Sequence, residues 1–165
     1  MIAKPYLSFA SLIILLLFAF NISAQSTITV VGEVLKPLTL SVSSLSKMKQ
    51  EKVIVEDRDN KEHTFEGVPL YDILDSAGVT LGGELRGENL VKYILVQAVD
   101  GYEVLFSLPE IDPEFTNQTV LLATKVDGKA LANGEGPFRI IVPNDKKHAR
   151  WIREISTIKI LFSME

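Results

Sequence analysis

Cysteine is absent from the 165-residue sequence, and histidine is scarce. The lack of cysteine excludes disulfide bonds, thiolate metal sites, a cysteine nucleophile and a lipid-modified cysteine behind a cleaved leader. Neither of the two histidines, His63 and His148, lies on a predicted helix with a second histidine or a carboxylate at metal-ligand spacing. We therefore assign no metal ligand, and we expect the stability of the fold to come from packing alone.

Several enzyme motifs are missing as well. The sequence has no G-x-S-x-G elbow, no G-x-G-x-x-G and no loop of the kind that cradles phosphates, so neither a hydrolase nor a nucleotide-dependent enzyme is predicted. Positive charge is in deficit, with 17 Lys and Arg against 21 Asp and Glu and a net charge of -4. Because nucleic-acid binding needs a broad basic surface, we expect no nucleic-acid partner.

The N-terminal residues have the pattern of an export signal. Lys4 precedes an apolar run from Tyr6 to Phe20, and the small residues Ser23 and Ala24 follow it. We predict a signal peptide over residues 1–24, cleaved after Ala24, and a periplasmic protein. The core of this run is shorter than the about 20 apolar residues of a stable membrane span. An uncleaved N-terminal membrane anchor is the alternative.

The rest of the chain, residues 25–165, has the size of one domain with one core. Short β-branched segments between Gly- and Pro-containing turns predict about eight strands. The best helix is predicted from Pro69 to Ala77, with Pro at its first position and Gly78 just past its end. The fold class is therefore α+β, with a mixed or antiparallel sheet and two or three short helices.

Other local patterns predict turns and two shorter helices. Ser43 or Ser44 is predicted to cap a helix near residues 45–48, and residues 108–115 to form one short helix and a bend. The polar run 57–63 predicts a hairpin loop whose acidic side chains are solvated, and the segment 81–89 predicts a surface loop.

A basic segment after the strand 138–142 is the strongest functional signal. Residues 144–153 contain four Lys and Arg against one Asp. Several donors on one loop can clamp a phosphate or another small anion, and Arg adds bidentate geometry. A solvated basic turn that protects a sheet edge is the alternative. The candidate anion- and cofactor-binding residues are Arg139, Lys146, Lys147, His148 and Arg150.

Some residues near this segment allow two interpretations. The alternation of a strand allows Arg139 either to face a cleft or to lie on the outer surface. Tyr102 either donates a hydrogen bond to a ligand or belongs to a plain hairpin at Asp100-Gly101. Trp151 is predicted to pack in the core, since a lone aromatic residue beside apolar neighbours seldom stacks on a base. His148 is predicted to be a surface imidazole, and no catalytic residue is assigned.

Four segments in the family's order resemble the oxidoreductase molybdopterin-binding domain, which has the sulfite-oxidase-type fold. They are GEVLKPLTLSVSSL, FEGVPLYDILDSAGV, DGYEVLFSLPEID and GPFRIIVPNDKKHARWIREISTIKI. The chain looks most similar to short exported proteins of this type that lack the dimerisation domain of the larger enzymes. The resemblance implies a molybdopterin cofactor whose phosphate is held by basic residues near the last segment.

The sequence departs from this family at the metal ligand. The resemblance implies molybdenum held by the pterin sulfurs and by one protein cysteine, on a strand upstream of the GVPL segment. Here that region reads VIVED, Val53 to Asp57, and none of these side chains can replace a soft thiolate. Coordination of molybdenum through a protein thiolate is therefore excluded.

Three functions remain open, and the sequence does not decide whether the protein is an enzyme. The first is a non-catalytic module that binds a small anion or a pterin on a scaffold that has lost its metal ligand, since a fold does not fix a function. The alternative is a periplasmic molybdopterin-dependent oxidoreductase with a non-cysteine metal site and an electron-transfer partner. A third option is an accessory protein that meets a membrane-bound partner through its sheet face.

Overall fold

The computed structural model describes residues 27–163, so the predicted signal peptide lies outside the described residues. This part of the chain contains ten strands, two α-helices and four 3-10 turns. The strands are β1 (Thr27–Gly32), β2 (Leu38–Ser41), β3 (Glu51–Glu56), β4 (Glu62–Pro69), β5 (Lys92–Ala98), β6 (Glu103–Ser107), β7 (Leu121–Val126), β8 (Lys129–Ala130), β9 (Arg139–Ile141) and β10 (Ile155–Phe162). The helices are α1 (Val42–Leu45) and α2 (Leu70–Ser76), and the 3-10 turns cover Gly82–Glu84, Gly87–Val91, Leu108–Glu110 and His148–Arg150.

The strands form two five-stranded sheets. The first has the order β2-β1-β10-β5-β6, and its only parallel pair is β1 with β10. In the second, β3, β4 and β7 are successive antiparallel neighbours, and β8 and β9 pair with different parts of β7. The α+β class with a mixed sheet is confirmed. No helix within residues 27–163 has the length and hydropathy needed to cross a bilayer.

A single hydrophobic core contains side chains from both sheets. Alternation selects the inward residues, such as Ile94 and Val96 on β5 and Ile158 and Ile160 on β10, all fully buried. Helix α2 covers part of this core with one apolar face. Burial of these large aliphatic side chains provides the main favourable free energy of folding.

The predicted helix at residues 69–77 is confirmed as α2, but it starts one residue later. Pro69 is the last residue of β4, where it pairs with Leu121 of β7, and its ψ of 134° is extended. Sheet pairing therefore takes precedence over the usual preference of proline for the first helical position.

The predicted position of the first helix was wrong by about one turn. Helix α1 covers Val42–Leu45 and is capped by Ser41. The Ser41 hydroxyl accepts a hydrogen bond from the Ser44 N–H at 3.1 Å, and the Ser44 hydroxyl accepts one from the Ser41 N–H at 2.8 Å. This reciprocal pair closes a capping box that starts the helix earlier than predicted.

Two further segments differ from prediction in detail. The segment 81–89, predicted as a loop, contains two 3-10 turns. The short helix predicted within residues 108–115 is reduced to the 3-10 turn Leu108–Glu110, which Ser107 and Glu110 close with a second capping box. Such brief turns satisfy the local backbone donors without continuing into a helix.

Candidate functional site

The predicted basic segment lies beside the hairpin loop that joins β3 to β4. Strand β9 carries Arg139 and pairs with β7, while the Ile140 N–H donates to the Ile152 carbonyl at 2.9 Å. The segment therefore doubles back along β9. From the hairpin loop, Arg58 donates through Nη2 to the His148 carbonyl at 3.4 Å. The two segments are far apart in sequence and in contact in the fold.

Arg139 is buried and paired with a carboxylate from that hairpin loop. Its side chain is 5% exposed. Nη1 donates to Asp57 Oδ2 at 2.9 Å and Nη2 to Asp57 Oδ1 at 3.0 Å. Arg139 also lines a cavity of about 300 Å³. The cleft-facing interpretation of Arg139 is therefore confirmed, and the surface alternative is wrong because the carboxylate offsets the cost of burying the guanidinium.

Two aromatic rings and a second carboxylate complete the surroundings of Arg139. Its guanidinium carbon lies 5.1 Å from the ring centroid of Phe65 and 5.6 Å from that of Trp151. Glu135 Oε2 lies 2.8 Å from Nη1. Rings at this distance attract a cation through their quadrupole, so they hold the guanidinium in a fixed orientation.

Asp57 is ionised in this arrangement. Burial on its own raises the pKa of the Asp57 carboxyl, but the hydrogen bonds from Arg139 and from the Arg58 backbone hold it below its ordinary value. The His148 Nδ1 atom lies 3.7 Å from Asp57 Oδ1. The His148 ring stacks on Trp151 with 4.0 Å between the ring centroids. His148, predicted as a surface imidazole, is thus partly buried against the same cluster.

Arg150 forms a separate ion cluster. Nε and Nη2 donate to the two oxygens of Asp145 at 2.9 and 2.7 Å, and Nη1 donates to Glu110 at 3.0 Å. The guanidinium carbon lies 4.8 Å from the ring centroid of Phe106. The hydrogen bonds to Asp145 and then to Glu110 raise the pKa of Arg150. Like Arg139, Arg150 already has carboxylate partners within its own chain.

Lys146 and Lys147 are exposed, and the structure does not bring them together with the two arginines in one cluster. Among residues 27–163, no carboxylate lies within 4.0 Å of either ammonium group or of the Arg58 guanidinium. An open cleft of about 730 Å³, here called the outer cleft, is lined by Lys146, Arg58 and His148. The other residues that line it are Ile54, Val55, Glu56, Asp57, Asn60, Glu62, Pro143, Asp145 and Trp151.

Sequence reasoning missed Arg58, Asp57 and Glu135. The first two lie in the hairpin loop, whose charges were interpreted as solvation alone. The only available signal for Arg58 was its place in the same short loop as the acidic residues. Asp57 and Arg139 are 82 positions apart, so no local pattern could have paired them.

Two hydrogen bonds show the roles of Tyr102 and Trp151 in the structure. The Tyr102 hydroxyl donates to the Ala149 carbonyl at 2.9 Å, which ties the β5–β6 turn to the basic segment. Trp151 is 1% exposed and donates from its indole N–H to the Val142 carbonyl at 3.0 Å. Core packing of Trp151 is confirmed, and Tyr102 contributes to holding the segment in place.

His63 joins two loops and lines the same cavity as Arg139. Its Nδ1 lies 2.7 Å from Asp127, and its Nε2 lies 3.2 Å from both oxygens of Asp59. Only an imidazolium can donate from both ring nitrogens. The hydrogen bonds to Asp127 and then to Asp59 raise the pKa of His63. No group of three potential ligands among residues 27–163 has the arrangement needed for a metal ion.

The stability of the protein should depend on the protonation of His63. Because its pKa is raised in the folded state, His63 stabilises the fold below its unfolded pKa of about 6.5, and this contribution is lost as the pH rises through the folded pKa. We expect His63→Gln to flatten the decrease in melting temperature that wild type shows between about pH 5.5 and 8.5. Circular dichroism melts over this range check the effect. Parallel curves for the two proteins would contradict it.

The sequence model of the oxidoreductase molybdopterin-binding domain matches residues 19–162 of this chain. The chain belongs to this family. No curated protein matches the chain. Among solved structures, this family member is similar to the sulfane dehydrogenase SoxCD from Paracoccus pantotrophus, with a TM-score of 0.65 and 20% sequence identity. The match covers 86% of this chain and 40% of the SoxCD chain. This likeness establishes the sulfite-oxidase-type fold that the sequence predicted.

The residues present do not fit a molybdenum centre of the kind expected in this family. In the region Val53–Asp57, the first four residues belong to β3, at the edge of the second sheet, and offer no soft donor. The Asp57 carboxylate is already paired with Arg139. Of the five residues predicted to hold an anion or a pterin phosphate, Arg139 and Arg150 are bound by carboxylates. Lys146 and His148 line the outer cleft, and Lys147 is exposed outside its lining.

Proposed function

We propose that the mature chain, residues 25–165, is an exported, non-catalytic module of the molybdopterin-binding family, and that it binds a small anion in the outer cleft. One observation carries the proposal: both central arginines are paired with carboxylates of the chain, whereas Arg58 and Lys146 line the cleft as exposed cations. An external anion would therefore find its donors in these two residues. Membership of an oxidoreductase family does not decide the activity, because function depends on the site and not on the fold.

The charges around the cleft are mixed, because the carboxylates of Glu56 and Glu62 line it together with Arg58 and Lys146, so we expect an anion to bind there weakly. Asp57 and Asp145 are neutralised by Arg139 and Arg150, so their negative charge is largely compensated. The two cations come from different segments of the chain, Arg58 from the hairpin loop and Lys146 from the basic segment. Two cations of this kind suit a tetrahedral oxyanion, which accepts hydrogen bonds in several directions.

Titration with inorganic phosphate tests the proposal. We expect phosphate to bind the wild-type protein, and Arg58→Gln and Lys146→Gln each to weaken binding by about fivefold or more, since each removes one charge-assisted donor. Lys47→Gln, which changes an exposed lysine outside the cleft, is the matched control and should leave binding unchanged. Backbone amide NMR gives both the affinity and the location. The proposal fails if the Lys47 variant binds as weakly as the two cleft variants.

Family membership favours a second candidate, a molybdopterin-dependent oxidoreductase whose metal is held by the pterin alone or by an oxygen ligand. Such an enzyme needs an electron-transfer partner, and a membrane-bound protein would serve. Elemental analysis and pterin fluorescence on protein isolated from the periplasm of its own host separate the two candidates. Stoichiometric molybdenum that cycles between oxidation states would support the enzyme and exclude the module.

A further inference from the structure

The guanidinium of Arg139, with the rings of Phe65 and Trp151 against it, has the geometry of a carboxylate-binding site, which we call the socket. Its two terminal nitrogens point at the two oxygens of Asp57. This parallel pair of hydrogen bonds is the geometry that a free carboxylate adopts on a guanidinium. Arg139 belongs to a paired strand, whereas Asp57 reaches it from an exposed loop, so the arginine forms the socket and the aspartate fills it.

The socket is held by contacts that do not involve Asp57. Strand β9 is fixed by its pairing with β7, and the Trp151 ring is fixed by the hydrogen bond to the Val142 carbonyl. Glu135 remains beside Nη1 of Arg139 and also pairs with Arg153. Removal of the Asp57 carboxylate should therefore leave the guanidinium in its present orientation.

The groups of the chain do not satisfy Arg139 completely. Its Nε is buried and has no hydrogen-bond acceptor among residues 27–163. Glu135 Oε2 lies close to Nη1, but within the same described residues it has no hydrogen bond of good geometry. A buried donor without an acceptor is costly, so the guanidinium of Arg139 is not fully satisfied even with Asp57 in place, and the loss of Asp57 adds two further unpaired donors, Nη1 and Nη2.

The cavity of about 300 Å³ provides a route to the socket. It borders Asp57, Glu135 and Arg139, and its wall includes the apolar side chains of Leu131 and Ala132. A volume of this size admits small organic acids. The hairpin loop separates this cavity from the outer cleft, because Asp57 and Arg58 line both.

We propose that Arg139 forms a carboxylate-binding socket which Asp57 occupies as an internal ligand, and that a small monocarboxylate binds there when the Asp57 carboxylate is removed. In the native chain the internal ligand blocks external acids. This inference goes beyond the proposed function, because it needs neither Arg58 nor Lys146 and concerns a different surface of the hairpin loop.

Chemical rescue of Asp57→Ala by formate tests the socket. The substitution removes one carboxylate, and formate has nearly the same size and shape. We expect the variant to melt about 6 °C or more below wild type, since it leaves a buried guanidinium short of a partner. About 100 mM sodium formate should restore at least half of this loss, as a dissociation constant of about 10 mM would shift the folding equilibrium about elevenfold. Equal sodium chloride should not.

Two variants and a refolding measurement make the result decisive. Asp57→Asn fills the same space with an amide, so formate should not raise its melting temperature, and wild type should likewise not respond. If Asp57→Ala does not fold alone, its refolding from urea with formate or with chloride is compared, and folding that requires formate supports the socket. Equal behaviour in the two salts, in melting or in refolding, overturns the inference. Phosphate binding by wild type is unaffected by that outcome, so the outer cleft is tested separately.

Discussion

Replacement of Arg139 by glutamine is expected to lower the free energy of unfolding by about 3–5 kcal/mol, the usual cost of removing one member of a buried ion pair. The reason is that the Asp57 carboxylate, 17% exposed, then loses both of its strongest donors. Glu135 loses the same partner. Urea denaturation followed by the fluorescence of Trp151, the single tryptophan of the chain, measures the change.

A charge-balanced variant distinguishes lost pairing from lost packing. Asp57→Asn combined with Arg139→Gln removes both charges, so it should be more stable than Arg139→Gln alone, with a coupling of about 1 kcal/mol or more. Arg58→Gln changes a neighbouring exposed arginine and should stay within about 0.5 kcal/mol of wild type. A loss below about 1 kcal/mol in Arg139→Gln would show that the ion cluster contributes little.

Replacement of Trp151 by alanine is expected to cost about 3–5 kcal/mol, as for other fully buried aromatic residues. The ring is 1% exposed, lies edge-on to Phe65 with 6.1 Å between centroids, and stacks on His148. Its removal opens a cavity beside the guanidinium of Arg139 and removes one of two donors to the Val142 carbonyl, which keeps the Asp145 N–H at 3.1 Å. Urea denaturation followed by circular dichroism is the measurement, since the fluorescent reporter is lost.

The phenylalanine variant at the same position is the matched control. Trp151→Phe keeps much of the apolar volume and an aromatic face, and it loses the indole N–H, so its cost should be about 1–3 kcal/mol. The ordering of the three proteins separates packing from hydrogen bonding. Equal stability of the alanine and phenylalanine variants would contradict a packing role for the ring.

The elements with strong local patterns were predictable, and so was the family. The alternation in β5 and β10 and the apolar face of α2 follow from side-chain burial on one face of each element. The start of α2 was not predictable from local preference. At Pro69, pairing with β7 fixes an extended backbone, and such pairing depends on residues about 50 positions away in the chain.

The candidate site was predictable only in part, because basic residues that are close in sequence are paired in the fold with carboxylates from other segments. The basic residues between positions 139 and 153 are close in sequence and suggested one anion site. In the fold, Arg139 is paired with Asp57 and Arg150 with Glu110, whose carboxylates come from distant turns. The His63 cluster was missed for a similar reason, since Asp127 comes from another hairpin and Asp59 lies across a loop, not along a helix.

The parallel pairing of β1 with β10 has a consequence for how the first sheet closes. Strand β10 lies between β1 and β5, so the middle of this sheet is contributed by residues 155–162, far along the chain from β1. Without these residues in place, β1 and β5 each keep an unpaired edge and the sheet cannot close. Truncation before Ile155 is therefore expected to leave two unpaired strand edges exposed and to promote aggregation.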